Sequence, residues 1–244
     1  MSDERNLKCI DRDQTNKEKL EIAVKDGQKC LRKSPVIVLG SGASIPEGLP
    51  SMKELADHLK GSISNGKLSN TDENLWREFI AKLDDTKDLE SALQAIELSE
   101  KLSNHIVVQT WDLISKADTR VFEKVLGNMN HLPLIKLYEH LFSSTNRTVS
   151  VVTTNYDRLA EYAADCASRS RCCHYTGFSY GYLRQQQQPN LRLHFKQGDQ
   201  RARTVEIWKV HGCLDWFIGQ DNQATAVVSA RAIPNGWRPA IVTP

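Results

Sequence analysis

The sequence predicts an α/β protein built on an open parallel sheet, with a block of helices inserted after the first strand–turn–helix unit. Three observations predict it. "VIVL" at 36–39 is an uninterrupted apolar, β-branched run, and the turn Gly40-Ser41-Gly42-Ala43-Ser44 leads from it into a helix. The further strands "TVSVVTTN" at 148–155 and "TVEIWKVHG" at 204–212 come only after about eighty residues of helical pattern.

Taken in order, residues 1–33 are a polar lead-in with one amphipathic segment, in which Leu20, Val24 and Leu31 fall on one helical face. The continuous apolar run at 36–39 is the pattern of a strand covered on both sides, as in parallel sheets. The helix after the turn is signalled by a capping box, Ser51 with Glu54 three residues on, preceded by Pro50 and followed by Leu55 and Leu59. A helical insertion spans about 61–145: "DLESALQAIELSEKL" spaces Leu89, Leu93, Ile96 and Leu102 along one face, and "LPLIKLYEHLF" does the same with Leu134, Leu137, Tyr138 and Leu141. Between the second and third strands, the stretch from Gly177 to Arg203 mixes glycine, glutamine and arginine without period, as loops or a hairpin do. "RPAIVTP" at the end reads as a fourth strand.

Composition narrows the function classes. With 40% apolar residues the 244-residue chain can bury a sizeable core, and no window approaches the ~18 uninterrupted apolar residues of a membrane span. The charged start lacks the apolar core of a secretory signal, so the expected compartment is the cytoplasm. A net charge of +2 gives no global electrostatic case for nucleic acid or an anionic membrane. The six cysteines, Cys9, Cys30, Cys166, Cys172, Cys173 and Cys213, form no C-x-x-C pair and read as free thiols. Cys172-Cys173-His174 lacks a second ligand pair, so no metal is expected there.

The chemistry lies at the strand ends. A glycine turn between strand and helix lets the backbone approach a pyrophosphate, with helix N-terminal amides supplying partial positive charge. The spacing is not the G-x-G-x-x-G of hydride-transferring dehydrogenases, because Ile45 stands at the third glycine and helices follow in place of a second strand. "TTNYD" puts Thr154, Asn155 and Asp157 past the second strand, and "KVHG" puts His211 past the third. In a parallel sheet the carboxyl ends share one edge, so these residues and the glycine turn can converge on one crevice. Singly, an Asn-x-Asp is as readily a turn or cap, and a His before Gly a strand end.

"GSGAS" with "GLPS", then "TTNYDRL", then "KVHGCLDW", in that order, resemble the sirtuin-like superfamily, and most closely the sirtuin-like domains of bacterial antiphage-defence NAD hydrolases. The resemblance covers residues 34–244 and implies a Rossmann-like NAD-binding fold. It implies that Gly40, Gly42, Ala43 and Ser44 line the cofactor phosphates, that Asn155 and Asp157 face the nicotinamide ribose with Thr154 also binding the cofactor, and that His211 is the catalytic histidine, with Asn155 catalytic beside it by holding water or the ribose hydroxyls. Such domains continue past the last strand, so the domain is expected to be C-terminally incomplete, either as part of a longer protein or with an incomplete nucleotide site.

Two departures separate the sequence from protein-deacylating sirtuins. Only Cys213 follows His211, where paired zinc cysteines would be expected, and "GLPSMK" replaces the Asp-Phe-Arg that follows the deacylase phosphate loop. The expected function is therefore hydrolysis of NAD, as substrate and without a metal, to nicotinamide and ADP-ribose, in an antiviral effector controlled by homo-oligomerisation or attached segments. A non-catalytic module binding NAD or ADP-ribose is the alternative, and a deacylase stands behind both.

Overall fold

The computed structural model describes residues 16–27, 29, 35–63, 68–167, 172–178, 183–186, 196–197, 200–201, 203–228 and 230–243. Its first element, α1, spans residues 16–27 and exposes Leu20 and Val24; Leu31, expected on the same face, lies outside the described residues, as do Cys9 and Cys30.

The centre of the fold is a parallel sheet. Strands β1 (Val36–Leu39), β2 (Thr148–Thr153), β3 (Cys172–Tyr175) and β7 (Arg203–Lys209) stand in the order β1-β2-β7-β3, every pair parallel. Helices α5 (Glu100–Gly127), α6 (Pro133–Phe142) and α7 (Leu159–Cys166) bury one face of it, against Val149, Val151, Val205 and Ile207. The fold is thus α/β and Rossmann-like in its sheet and helices.

Coverage of β1 differs from the two-sided burial its apolar run suggests. Val36 and Val38 are 61% and 76% exposed, and Val38 lies in register with Val152 and the half-exposed Trp208. An apolar run records that a strand is apolar, not how many faces its own domain covers.

The helical region holds a second core. Helices α2 (Met52–Lys60), α3 (Asn70–Thr86) and α4 (Leu89–Ala95) pack on the first turns of α5 through Leu59, Phe79, Leu83, Ala92, Leu102 and Ile106. The capping box at Ser51 and Glu54 forms as the sequence indicates. "DLESALQAIELSEKL" is broken, however: α4 ends at Ala95 and α5 starts after Ser99, whose hydroxyl accepts from the Leu102 amide. Asp72 joins the two starts, accepting from Ser99 Oγ at 2.7 Å and from Ser69 Oγ, the cap of α3, at 2.9 Å. At 1.5 Å per residue α5 is about 42 Å long, and its later turns, from Trp111 to Val125, enter the main core.

The fourth strand of the parallel sheet is β3, not the final "RPAIVTP". That segment forms β10 (Arg238–Ile241), which joins β8 (Gly212–Ile218), β9 (Ala224–Val227) and β4 (Leu183–Gln185) in a second sheet, order β10-β8-β9-β4, all antiparallel. Of the irregular stretch 177–203, the described residues form β4, an isolated antiparallel bridge between Phe178 and Gln186, the hairpin of β5 (Lys196–Gln197) with β6 (Gln200–Arg201), and the start of β7 at Arg203; residues 179–182, 187–195, 198–199 and 202 lie outside the described residues.

Candidate functional site

Three chain segments meet at the carboxyl edge of the parallel sheet. The first follows β1: Ser41–Ala43 and Ile45–Glu47 form two short 3₁₀ turns, with Ala43 N–H donating to Gly40 O and Ser44 N–H to Ser41 O. The amides of Ser41 and Gly42, at the front of the first turn, have no acceptor within it and are the donors such a turn offers an anion. A Cβ at Gly40 or Gly42 would meet nothing within 4 Å, so both positions leave open space beside the backbone.

The second segment leaves β2. Thr153 Oγ1 donates to Leu39 O and accepts from the Asn155 amide, which ties the end of β2 to the end of β1. Asn155 Nδ2 donates to Gly40 O and to Ser44 Oγ, each at 2.9 Å. Because a carbonyl can only accept, this network fixes the amide's orientation: both N–H groups are engaged, and Oδ1 is the atom left for a ligand. Toward a ligand the Asn155 amide is therefore an acceptor.

Asp157 turns inward. It is buried, Oδ2 accepts from Ser44 Oγ at 2.7 Å, and Oδ1 accepts from the Leu159 amide at 3.1 Å, at the start of α7. Its carboxylate therefore braces the turn and accepts from the first amide of α7. Ser44 is likewise engaged, donating to Asp157 and accepting from Asn155.

The third segment joins β7 to β8 and carries His211. Val210 N–H donates to Thr153 O, Leu214 N–H to Tyr156 O, and Val242 N–H to His211 O, so the histidine loop is laced both to the Asn155 loop and to the end of β10. The Tyr156 and His211 rings stand 6.5 Å apart, and Tyr156 Oη donates to Val242 O. Gly212 supports the bend at φ +91°, where any Cβ would collide with the Ala240 carbonyl. The glycine after the histidine is thus a steric requirement.

These segments line one cleft of about 170 Å³ that includes Ser41, Ser44, Thr154, Asn155, Asp157 and His211. Gly40, Gly42 and Ala43 form the adjoining turn. The helical region closes the opposite side through Met52, Leu55, Glu90 and Ile114. Against the roughly 300–1,000 Å³ of sites that enclose drug-sized ligands, this volume suits one end of a dinucleotide. Glu90 and Tyr156 were not singled out from sequence. Burial pushes the Tyr156 phenol above its usual range, and the Glu90 carboxylate adds to the shift.

Lys209 is a further buried polar residue at the site: "TVEIWK" alternates and places it on the inward face with Val205 and Ile207. Its side chain is 1% exposed; its ammonium donates to Asp157 O and pairs with Glu161 at 3.3 Å. Burial opposes its charge, but the acidic groups around it, Glu161, Asp157 and Asp215 among them, outweigh burial and hold it above the usual lysine range. Burial raises Glu161, and it keeps Cys213 a neutral thiol.

Cys166, Cys172, Cys173 and Cys213 are free. Burial pushes the Cys172 thiol up to about 12, and it donates to Ala164 O. Among the described residues no three His, Cys, Asp or Glu side chains gather as a metal site, and no helix is long and apolar enough to cross a membrane.

Residues 149–233 match the family model of the SIR2-like domain, about a third of the chain. The matched stretch runs from β2 through β9 and holds Asn155, Asp157, Lys209 and His211; the glycine turn lies before it. It supports a sirtuin-like domain and, with it, an NAD-related function. No curated protein matches the chain.

Proposed function

We propose that this sirtuin-like chain cleaves the N-glycosidic bond of NAD, releasing nicotinamide and ADP-ribose. The observation that carries the reading is that the glycine turn, the Asn155 carbonyl and His211 line one cleft whose volume suits the nicotinamide-ribose end of a dinucleotide. The pyrophosphate would lie along the turn, on the amides of Ser41 and Gly42, where a helix-type N-terminus favours anions.

The chemistry asks little of the protein. Nicotinamide leaves as a neutral molecule from a cationic ring, so no proton has to be supplied to it; the electrons of the C–N bond go to the ring nitrogen. What remains is an oxocarbenium-like ribose and an attacking water. Asn155 Oδ1 accepts from that water or from a ribose hydroxyl and holds it in line, the kind of positioning worth several kcal/mol in a barrier. His211 takes the water's proton, a contribution of typically ~10²–10⁴ in rate. Asp157 acts at one remove, by fixing Ser44 and through it the Asn155 amide.

Control by homo-oligomerisation or attached segments, and a role in antiviral defence through depletion of NAD, belong to the same proposal and rest on the resemblance of the motifs. The test is to incubate the purified protein with NAD and separate nicotinamide and ADP-ribose by chromatography. Release that disappears in His211→Ala and Asn155→Ala supports hydrolysis. Saturable binding of NAD or ADP-ribose without release would establish the binding module in its place.

A further inference from the structure

Beneath the cleft lies a charged cluster for which the hydrolytic mechanism has no use. Lys209 lies two residues before His211, and the carbonyl it binds belongs to Asp157, two residues after Asn155. Its ion-pair partner Glu161 is on α7, and Glu161 Oε2 has no hydrogen-bond partner. Cys213 Sγ stands 3.8 Å from Glu161 Oε1, and Asp215 Oδ1 is also buried without a partner. A well-packed apolar group would serve stability at least as well, because desolvating two charges costs several kcal/mol per ion and a buried pair repays it only with full hydrogen bonding. Here the bonding is incomplete on both carboxylates.

What an apolar group cannot supply is a donor to the Asp157 carbonyl. That carbonyl belongs to the loop whose other bonds place Asn155, through Thr153 Oγ1, Gly40 O and Ser44 Oγ. Lys209 itself is the last residue of β7, covalently continuous with the histidine loop. One ammonium thus joins the base of the Asn155 loop to the base of the His211 loop, and Glu161 anchors it to α7.

We infer that Lys209 is a positioning residue that sets the distance between Asn155 and His211 by clamping the Asp157 carbonyl, with Glu161 as its anchor. The inference rests on the hydrolytic reading for its effect on rate, but its effect on the two loops stands apart from that reading. Without the clamp the Asn155 loop relaxes outward while the cleft and its turn persist. A displacement of about 1 Å in a reacting group costs on the order of 10²-fold.

The experiment compares wild type, Lys209→Met and the double variant Lys209→Met/Glu161→Leu, which removes both buried charges and keeps the protein foldable if the single change does not. Three quantities are measured: melting temperature, kcat and KM for NAD, and amide hydrogen exchange at residues 154–158 and 210–213. Clamping predicts that the double variant regains most of the melting temperature lost in Lys209→Met, yet stays about 100-fold down in kcat with KM within about threefold. It also predicts at least tenfold faster exchange in both loops, with β2 unchanged. If turnover returns with stability in the double variant, or loop exchange matches wild type, Lys209 is a structural charge and the inference falls. A wild-type protein that leaves NAD intact would overturn the hydrolytic reading alone, because the exchange comparison still decides the clamp.

Discussion

Ser44 Oγ donates to Asp157 Oδ2 at 2.7 Å across 113 residues of sequence, while accepting from Asn155 Nδ2 at 2.9 Å. One hydroxyl therefore couples the turn after β1 to the loop after β2. Ser44→Ala leaves the buried Asp157 oxygen and one Asn155 N–H without partners. An unmade buried bond of this kind costs about 1–3 kcal/mol. Denaturant unfolding should show a loss in that range, and NAD turnover should fall with it. Unchanged stability would mean that the serine is dispensable to the brace.

Asn155 allows a sharper distinction between ligand contact and local support. Asn155→Asp keeps an oxygen acceptor but removes both N–H donors and brings a carboxylate toward Gly40 O and Asp157. If the acceptor were all that mattered, the aspartate variant would turn over at close to the wild-type rate. The geometry predicts the opposite: Asn155→Asp and Asn155→Ala each lose at least about 10²-fold in kcat, as expected for loss of a positioning group. Single-turnover assays with NAD check it.

Gly212→Ala should be among the most damaging single changes in the chain. At φ +91° a side chain is strained in any surroundings, and here its Cβ would overlap the Ala240 carbonyl of β10. Relief requires β8 and β10 to separate, which also frees the bond from Val242 N–H to His211 O. A loss of more than about 3 kcal/mol is expected, in the range where single mutations report a named steric cause. Thermal unfolding would register it, and a variant as stable as wild type would show that the β8–β10 contact is soft.

Much of this arrangement was legible before any coordinates. The β-branched run of β1, the Ser51–Glu54 capping box and the polar residues closing β2 and β7 are local signals, and a parallel sheet brings such strand ends to one edge without further information. What stayed hidden depends on partners distant in sequence. Nothing in "TTNYD" says that Asp157 turns inward to Ser44. Glu90 lies on the short helix α4, and only the packing of that helix brings it to the cleft. β3, four residues beginning with two cysteines, carries no strong strand pattern, and β10 reads as a strand without revealing that it pairs with β8. Lys209 is the exception, since its register with Val205 and Ile207 was visible and a lysine on an inward face is itself a signal.

His174 supplies a test in pH. Its Nδ1 lies 2.7 Å from Asp165, and although burial lowers its affinity for a proton, the Asp165 bond and charge outweigh burial and raise it above the usual histidine value. A raised folded-state value means that the pair's contribution is complete below the unfolded pKa near ~6.5 and is lost as pH rises through the folded one. The melting-temperature gap between wild type and His174→Asn should therefore be widest near pH 5.5 and narrow above that transition. A gap that is constant with pH would show that the ring contributes by packing alone.

Glu90 is the carboxylate in the cleft that the brace does not engage, since Asp157 is held by Ser44 and the Leu159 amide. On the proposed hydrolytic reading, positive charge develops on the ribose in this cleft, and a negative group beside it would favour the transition state over the ground state. Glu90 is exposed in the first turn of α4, so replacing it should change stability by no more than about 0.5 kcal/mol. Glu90→Gln keeps the shape and removes the charge; Glu90→Lys reverses it. The expected order in kcat is wild type, then the glutamine variant about tenfold lower, then the lysine variant lower still, the step between them shrinking as salt is added because the group is open to solvent. Glutamine and lysine variants with equal rates would mean that the charge does not reach the reacting ribose, and would confine Glu90 to the helix N-terminus where it stands.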